Sequence, residues 1–395
     1  MKAVKVTDKI DWVGVQNPEL RFFDVIMETR WGTSYNSYLI KGSKKTALVD
    51  AVKTAFADEQ IKRIRSVCDP ASIDYIICNH TEPDHSGSLT RLLDIAPKAR
   101  VVCSKAASIF LKDITNREIE YMVVEDGYEL DLGDVNIRFL SVPFLHWPDS
   151  IFTYVESEKF LSSGDVFGFH FSAEKIFDDE TPLTAEMAES QKYYYDVIMS
   201  PFAPYVLKAV DKVRDLSIKI IGPSHGPVLR TDPLKAVENY RAWAQPVIND
   251  PKKVFVGYVS CYGYTRQLGE QIYNAVRAAG FDAEIADISA IGAKKAAEKI
   301  QCADAFAIGS PTLNRDILKP AWHVLTALCP MIVKGKKAVV FGSYGWSGEA
   351  PKYMDQRLKN LDVNVVAIAT AKLKPNDAEL ASAKEAGVKL AESIN

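Results

Sequence analysis

Nine consecutive residues, Asn79-His80-Thr81-Glu82-Pro83-Asp84-His85-Ser86-Gly87, constrain this chain more than any other feature. They place His80, Glu82, Asp84 and His85 directly after the apolar run Ile73–Cys78. A short apolar run of this kind reads as a buried strand. Two imidazoles and two carboxylates at one strand end repel or desolvate one another unless a cation sits among them. A metal site at the mouth of a sheet is the leading reading.

The remaining histidines support it. The chain has six, and three further segments read as strand-end loops with one donor each. These are Phe144-Leu145-His146-Trp147-Pro148, Ser163-Gly164-Asp165-Val166-Phe167 and Pro223-Ser224-His225-Gly226-Pro227. Together with the opening cluster they supply four His, two Asp and one Glu, enough for two ions, where one tetrahedral zinc needs four ligands. His170, close to Asp165 in the chain, reads as lining the pocket or packing beside it. His323, mid-helix beside Trp322, reads as structural. Tyr194 and Tyr195 read as core, with a hydroxyl aimed at the pocket as the alternative.

At 395 residues the chain suits two domains, each able to bury its own core. A formal charge of −3 with interspersed signs gives no footprint for nucleic acid or an anionic membrane. No apolar run approaches membrane-spanning length, and Met1-Lys2-Ala3-Val4 lacks a signal-peptide core. Cys68, Cys78, Cys103, Cys261, Cys302 and Cys329 are scattered without a CxxC pair. That pattern predicts a cytoplasmic protein with no disulfide framework and no thiolate iron site. Small buried apolar roles are expected for the cysteines, Cys261 excepted.

The first part alternates strands and helices, with hairpin-like pairs such as Ser37–Ile40 with Thr46–Val49 and Val135–Leu140 with Ile151–Val155. A polar seam bracketed by prolines, Gln245–Lys253, follows. It sets the expected domains at 1–249 and 250–395. Beyond it the expected strands are Val254–Val259, Ala283–Asp287, Ala305–Ile308, Lys337–Phe341 and Asn364–Ala369. Helices between them make this half a doubly wound parallel sheet.

Ligands of such sheets bind beyond the carboxyl ends of the strands. Three strands end in suitable loops. Ser260-Cys261-Tyr262-Gly263-Tyr264-Thr265 is rich in hydroxyls and opens a helix, which suits a phosphate. It is not a Walker loop. Pro311-Thr312-Leu313-Asn314 and Ser343-Tyr344-Gly345-Trp346-Ser347-Gly348 can sandwich a flat ring. A phosphate at the first loop and a planar ring between the other two describe FMN.

With these motifs in view, the chain resembles the flavodiiron proteins (A-type flavoproteins) over nearly its whole length. The first half resembles that family's metallo-β-lactamase-like αββα sandwich and the second its flavodoxin-like domain. The family pattern H-x-E-x-D-H, a separate His, a bridging Asp and a last His fall on His80, Glu82, Asp84, His85, His146, Asp165 and His225. Further matches are Gly32–Tyr38, His146–Ser150 and Phe341–Gly348, while Cys261 and Gly263 stand where the family often carries bulkier residues. The resemblance implies one iron held by His80, Glu82 and His146 and another by Asp84, His85 and His225. Asp165 would bridge them with a hydroxide or water. In some members the residue matching His85 is not a ligand.

The resemblance also implies an FMN- and diiron-dependent oxidoreductase that reduces dioxygen to water or nitric oxide to nitrous oxide. A head-to-tail homodimer, extensible to a tetramer, would bring one subunit's FMN beside the other's iron pair. With no CxxC pairs and no GxGxxG, electrons would come from an external donor. Rubredoxin is the first choice and a reduced deazaflavin coenzyme the second.

The residues carry their own argument beside the resemblance. Zinc hydrolases of the lactamase-like fold usually read H-x-H-x-D-H, and here the second position is Glu82. A third carboxylate makes the site harder and more anionic, which suits iron cycling between two oxidation states better than redox-silent zinc. A flavin domain then supplies electrons singly or in pairs. The competing readings are a dinuclear metallohydrolase with an accessory flavodoxin-like module, which calls for His at position 82, and an electron carrier with a vestigial metal domain, which calls for lost ligands.

Overall fold

Side-chain alternation sets the layers of the N-terminal part. In Tyr38–Lys41, Thr46–Val49 and Tyr75–Ile77, successive residues face opposite sides of the sheet. Tyr38, Ile40, Ala47, Val49, Tyr75 and Ile77 join one buried cluster, and Leu39, Leu48 and Ile76 join another. The first cluster also takes Ile137, Phe139, Ile151 and Val155 from a second sheet, so two sheets face each other across it.

The computed structural model describes residues 1–181 and 184–394. They form two compact units that divide between Gln245 and Pro246. In the N-terminal unit a seven-stranded sheet runs in the order Val4–Lys5, Ile10–Trp12, Tyr38–Lys41, Thr46–Val49, Tyr75–Ile77, Arg100–Cys103 and Tyr121–Val123. The facing five-stranded sheet runs Glu129–Asp131, Asn136–Ser141, Ile151–Val155, Phe160–Ser162 and Ile220–Gly222.

Helices close both outer faces. Ala57–Arg65 buries Ala57, Gln60, Ile61 and Ile64, one stripe at helical spacing. Its acids Asp58 and Glu59 lie in the first turn and Lys62, Arg63 and Arg65 in the last, matching the helix dipole. Ser104 caps Lys105–Thr115 by accepting from Ala107 N, and left-handed Asn116 ends it. On the other face, Ala203–Val213 and Pro233–Trp243 contribute Val206, Val210, Val237 and Tyr240 to the core over the second sheet. The layers are αββα.

Parallel pairing decides where chemistry can gather. Thr46–Val49 runs parallel to Tyr75–Ile77, and Phe160–Ser162 runs parallel to Ile220–Gly222. Their carboxyl ends lead into Asp50, the His80–His85 segment, Asp165 and His225 respectively.

The C-terminal unit holds five parallel strands in the order Asp282–Asp287, Lys253–Tyr258, Ala305–Gly309, Lys337–Tyr344 and Asn364–Lys372. Phe255, Phe306, Ile308, Ala338 and Val340 pack on one face, and Val254, Val256, Ala305, Ala307, Val339 and Phe341 on the other. Strand order reverses beside Lys253–Tyr258, so the loops after Tyr258 and Gly309 flank the switch point. Cys78 and Cys103 are buried, but Cys302 is exposed, against expectation. It sits in the last turn of Ala293–Cys302, whose core side is filled by Ala296, Ala297 and Ile300. Among the described residues no helix is long and apolar enough to cross a membrane.

Candidate active site

The seven expected donors come together at the strand ends of the N-terminal unit in two groups. His80, Glu82, His146 and Asp165 form one, and Asp84, His85 and His225 the other. In the first, His80 Nε2 lies 3.2 Å from Glu82 Oε2, and His146 Nε2 lies 3.1 Å from the same oxygen. In the second, His225 Nε2 lies 3.2 Å from Asp84 Oδ2, and His85 Nε2 lies 3.4 Å from Asp84 Oδ1. Asp165 divides its carboxylate between them. Its Oδ2 is 3.4 Å from His146 Nε2 and 3.7 Å from His80 Nε2. Its Oδ1 is 3.1 Å from His85 Nε2 and 3.4 Å from His225 Nε2.

Glu82 is hydrogen-bonded to His80, but several of the other donors are close without being hydrogen-bonded. Both carboxylate oxygens of Asp84, Oδ1 of Asp165 and both ring nitrogens of His85 are buried with no hydrogen-bond partner. Leaving such groups unsatisfied costs about 1–3 kcal/mol each. Donors at 2.0–2.2 Å from a shared ion stand roughly 3–3.5 Å from one another, which is the spacing seen here. The residues fit two cations.

The surrounding residues set orientation. Asn79, fully buried, donates its backbone N–H to Asp50 Oδ1 at 2.7 Å. Its side chain donates to Ser162 Oγ at 3.0 Å and accepts from Thr153 Oγ1 at 2.6 Å. Asn79 thereby ties the metal-binding segment to both sheets. Asp149 accepts from Thr81 N and Oγ1 at 2.8 and 2.7 Å and from His80 Nδ1 at 3.2 Å. His225 Nδ1 donates to Ser34 O at 2.7 Å. Both rings therefore turn unprotonated Nε2 atoms inward once neutral.

Backbone strain gathers at the same place. Asp50, Phe144 and Phe167 take left-handed φ values of 57°, 66° and 69°. Gly226, at φ +82°, could not take a Cβ, which would lie 2.5 Å from Phe169 O.

The electrostatics match a site built for cations. Burial alone pulls the His80, His85 and His146 rings down, yet nearby carboxylates lift all three to about 10 without metal. The carboxylates responsible are Asp149 and Glu82 for His80, Asp84 and Asp165 for His85, and Asp165 and Glu82 for His146. Burial pushes Glu82 up, but hydrogen bonds from His146 and His80 hold it far below the carboxylate range. Burial raises Asp50 to about 7.

The three expected flavin loops stand side by side in the C-terminal unit. Ser260, Cys261, Tyr262 and Gly263 lead into the helix Tyr264–Ala278, and left-handed Gly263 leaves that helix without a side-chain cap. Its first-turn N–H groups are thus open to an anion. Thr265 Oγ1 and Ser343 Oγ, 2.8 Å apart, join the first loop to the third. After Pro311, Thr312–Leu313 pairs with Asp316–Ile317 around Asn314 and Arg315, both left-handed, in a two-residue hairpin turn. Thr312 Oγ1 accepts from Ala350 N at 3.2 Å, linking the second loop to the helix after the third. The Tyr344-Gly345-Trp346-Ser347-Gly348 segment leads into that helix, Glu349–Asn360. Tyr262 and Trp346 expose 84% and 79% of their surface, Leu313 is exposed, and Ser347 Oγ is buried without a partner. Broad apolar faces beside an uncapped helix fit a planar ring carrying a phosphate.

Comparison with known proteins agrees. Residues 33–226 match the ODP family of beta lactamases and residues 256–387 match flavodoxin. The flavo-diiron protein FprA2 of Clostridium acetobutylicum is 42% identical over 401 residues, covering 100% of both chains. The chain belongs to the flavodiiron family. A Moorella thermoacetica relative named nitric oxide reductase is 34% identical, with 100% of this chain and 99% of that one covered. The structure of rubredoxin oxygen:oxidoreductase from Desulfovibrio gigas aligns with a TM-score of 0.72 at 29% identity, covering 100% and 98% of the two chains. A flavodiiron chain is an oxidoreductase, with a metallo-β-lactamase-like domain for a diiron centre and a flavodoxin-like domain for FMN.

Several residues at this flavodiiron site escaped the sequence reading. Asp50 carries no local signal, because its partner Asn79 lies far along the chain. Thr33, Ser34, Asp149 and Asn79 stood inside recognised segments but had no role there. Tyr194 and Tyr195 are both buried as expected. Tyr194 packs edge-on to His170 at 5.0 Å, whereas Tyr195 packs on Tyr240 and Trp243. His323 is exposed on the helix Lys319–Ala327.

Proposed function

We propose that this flavodiiron protein reduces dioxygen to water, nitric oxide to nitrous oxide, or both, with electrons delivered through FMN. The observation that carries the reading is the divided carboxylate of Asp165 with Glu82, not a histidine, in the group beside it. Three carboxylates among seven donors favour iron over zinc, which weakens the metallohydrolase alternative. The full donor set equally weakens an electron carrier with a vestigial site.

In this reading His80, Glu82 and His146 would hold one iron, Asp84, His85 and His225 the other, and Asp165 would serve both. Bound there, the irons and FMN supply the one-electron steps that no side chain of this chain can perform. The protein's own share is orientation and exclusion. Asp149 and Ser34 hold the rings of His80 and His225 by their Nδ1 atoms, while the imidazoles of His85, His146 and His225 overcome the burial penalty and keep Asp165 charged, ready for cations. Phe23 packs edge-on to the His225 ring at 5.5 Å and covers that side of the second group.

Ser260 to Thr265 would hold the FMN phosphate, and Pro311 to Asn314 and Ser343 to Gly348 its ring. The family resemblance supports a head-to-tail homodimer in which each flavin serves the partner's irons. Rubredoxin as donor is supported by the name of the Desulfovibrio gigas protein, and nitric oxide as substrate by that of the Moorella thermoacetica one.

Anaerobic stopped-flow of the fully reduced protein, with metal and flavin assayed on the same sample, tests the proposal. Two irons and one FMN per chain, with flavin reoxidised within seconds by either gas, are expected. Two zincs with slow reoxidation would overturn it.

A further inference from the structure

His170 is a buried polar group beside the metal ligands that the proposed chemistry leaves unused. The residue is 2% exposed. It lies 4.9 Å from the His225 ring, 4.3 Å from Phe23 and 5.0 Å from Tyr194. Ser190 Oγ donates to its backbone carbonyl at 2.8 Å, which fixes it against the helix Thr184–Tyr194.

The shorter of the Thr33 contacts favours one tautomer of its ring. Nδ1 lies 2.8 Å from Thr33 Oγ1. That hydroxyl also lies 3.3 Å from Ser34 O and 3.4 Å from His225 Nδ1. His225 Nδ1 is itself a donor, bonded to Ser34 O at 2.7 Å, so it cannot accept from Thr33. The Thr33 hydrogen then has two takers, and the shorter contact is His170 Nδ1. With Nδ1 accepting, the neutral ring carries its proton on Nε2. This Nε2, across the ring from Thr33, is buried with no partner. A native structure rarely leaves a buried N–H unused unless a ligand completes it.

We propose that His170 donates a hydrogen bond from Nε2 to the small ligand held at the metal centre, stabilising the negative charge that ligand carries or acquires. The inference rests on the diiron reading above, and it assigns His170 a direct contact with the ligand rather than a packing role. Hydrogen bonds to charged groups are among the stronger ones in proteins.

The test uses the oxidised, iron-loaded full chain and azide as probe, with binding followed by visible absorption and iron assayed per chain. His170→Phe keeps the aromatic shape and removes the donor. Its azide Kd is expected to rise at least about tenfold with two irons retained, and His170→Gln, which keeps an N–H, should recover most of the loss. A His170→Phe protein that binds azide within twofold of wild type overturns the inference and places the N–H on the Tyr194 ring instead. Wild type that retains no iron overturns the diiron reading itself, whereas wild type with two irons that takes up no azide overturns the inference, because the centre then offers His170 no small ligand. If His170→Phe loses iron, nitrogen-15 NMR of the metal-free wild-type chain decides. A proton on Nε2 supports the assignment, and a proton on Nδ1 overturns it.

Discussion

Asp149 grips His80: one carboxylate oxygen takes the ring's Nδ1–H at 3.2 Å while the other takes two bonds from Thr81. The acid thus fixes the ring that opens the metal segment and the backbone carrying it. Carboxylate partners of this type typically contribute 10–100-fold to metal affinity. Asp149→Ala should therefore release iron to a competing chelator roughly 10–100-fold more readily. Asp149→Asn, which can still accept from Thr81, should fall between the two. Iron retention equal to wild type in Asp149→Ala would show that His80 is held by its neighbours alone.

Glu82 distinguishes this site from a zinc hydrolase. Glu82→His should still bind two ions, because the new imidazole reaches the same first group. The softer, less anionic set should shift the preference from iron toward zinc. The expected protein binds FMN normally but reoxidises it slowly in dioxygen or nitric oxide. Unchanged iron content and unchanged reoxidation would mean that the third carboxylate does not select the metal.

The parts of this molecule that were legible in sequence are those in which one segment carries its own physics. The His80–His85 run follows a buried strand, and the near-continuous apolar run from Val254 to Val259 declares a sheet with two covered faces. The flavin loops announce themselves because each follows a strand and opens a helix or a turn. What stayed hidden depends on distant pairing. Asn79 reads as one more polar residue until Ser162 and Thr153 meet its side chain from the other sheet. Thr33 gains meaning only when folding brings it to His170 and His225. Cys302 misled because hydrophobicity alone cannot say which side of a helix meets the core.

Metal loading should depend steeply on pH. In the metal-free fold His80, His85 and His146 sit at about 10, above their ordinary 6.5. A raised value means the charged rings stabilise the metal-free fold fully below about pH 6.5 and less as pH rises toward 10. Glu82, depressed, contributes above its ordinary 4.5 and loses that contribution as pH falls. Cations need the neutral rings and so compete with these protons. Adding ferrous iron anaerobically should raise Tm more at pH 8.5 than at pH 6.5, with about three protons released per chain at pH 7. Equal Tm shifts at both pH values would show that the rings are already neutral.

Gly226 follows a ligand and occupies a backbone region costly for other residues. Gly226→Ala combines a φ of +82° with a Cβ 2.5 Å from a carbonyl oxygen. A destabilisation of about 2 kcal/mol or more is expected in thermal or urea unfolding. Because Gly226 N donates to Ser34 Oγ at 2.8 Å beside the His225 anchor, the second group should lose its ion first. A variant that melts like wild type and keeps two irons would show that the loop can re-form around the methyl group.

The exposed indole of Trp346 has no structural reason to be where it is unless something covers it. Its neighbours Tyr344 and Gly348 hold the loop, since a Cβ on Gly348 would press on the Tyr344 ring at 3.1 Å. Stacking on a flat ring is worth about 0.5–1.5 kcal/mol beyond area buried. Trp346→Ala should therefore weaken FMN binding by roughly three- to tenfold, measured by fluorescence on adding FMN to flavin-stripped protein. Trp346→Phe should restore most of it, and iron content should stay unchanged in both. Because the side chain is exposed without flavin, its removal should leave the flavin-stripped protein's Tm within about a degree of wild type. A large Tm loss would instead show that Trp346 supports the fold, and equal FMN affinity in all three proteins would place the ring of the cofactor against Tyr262 and Leu313 alone.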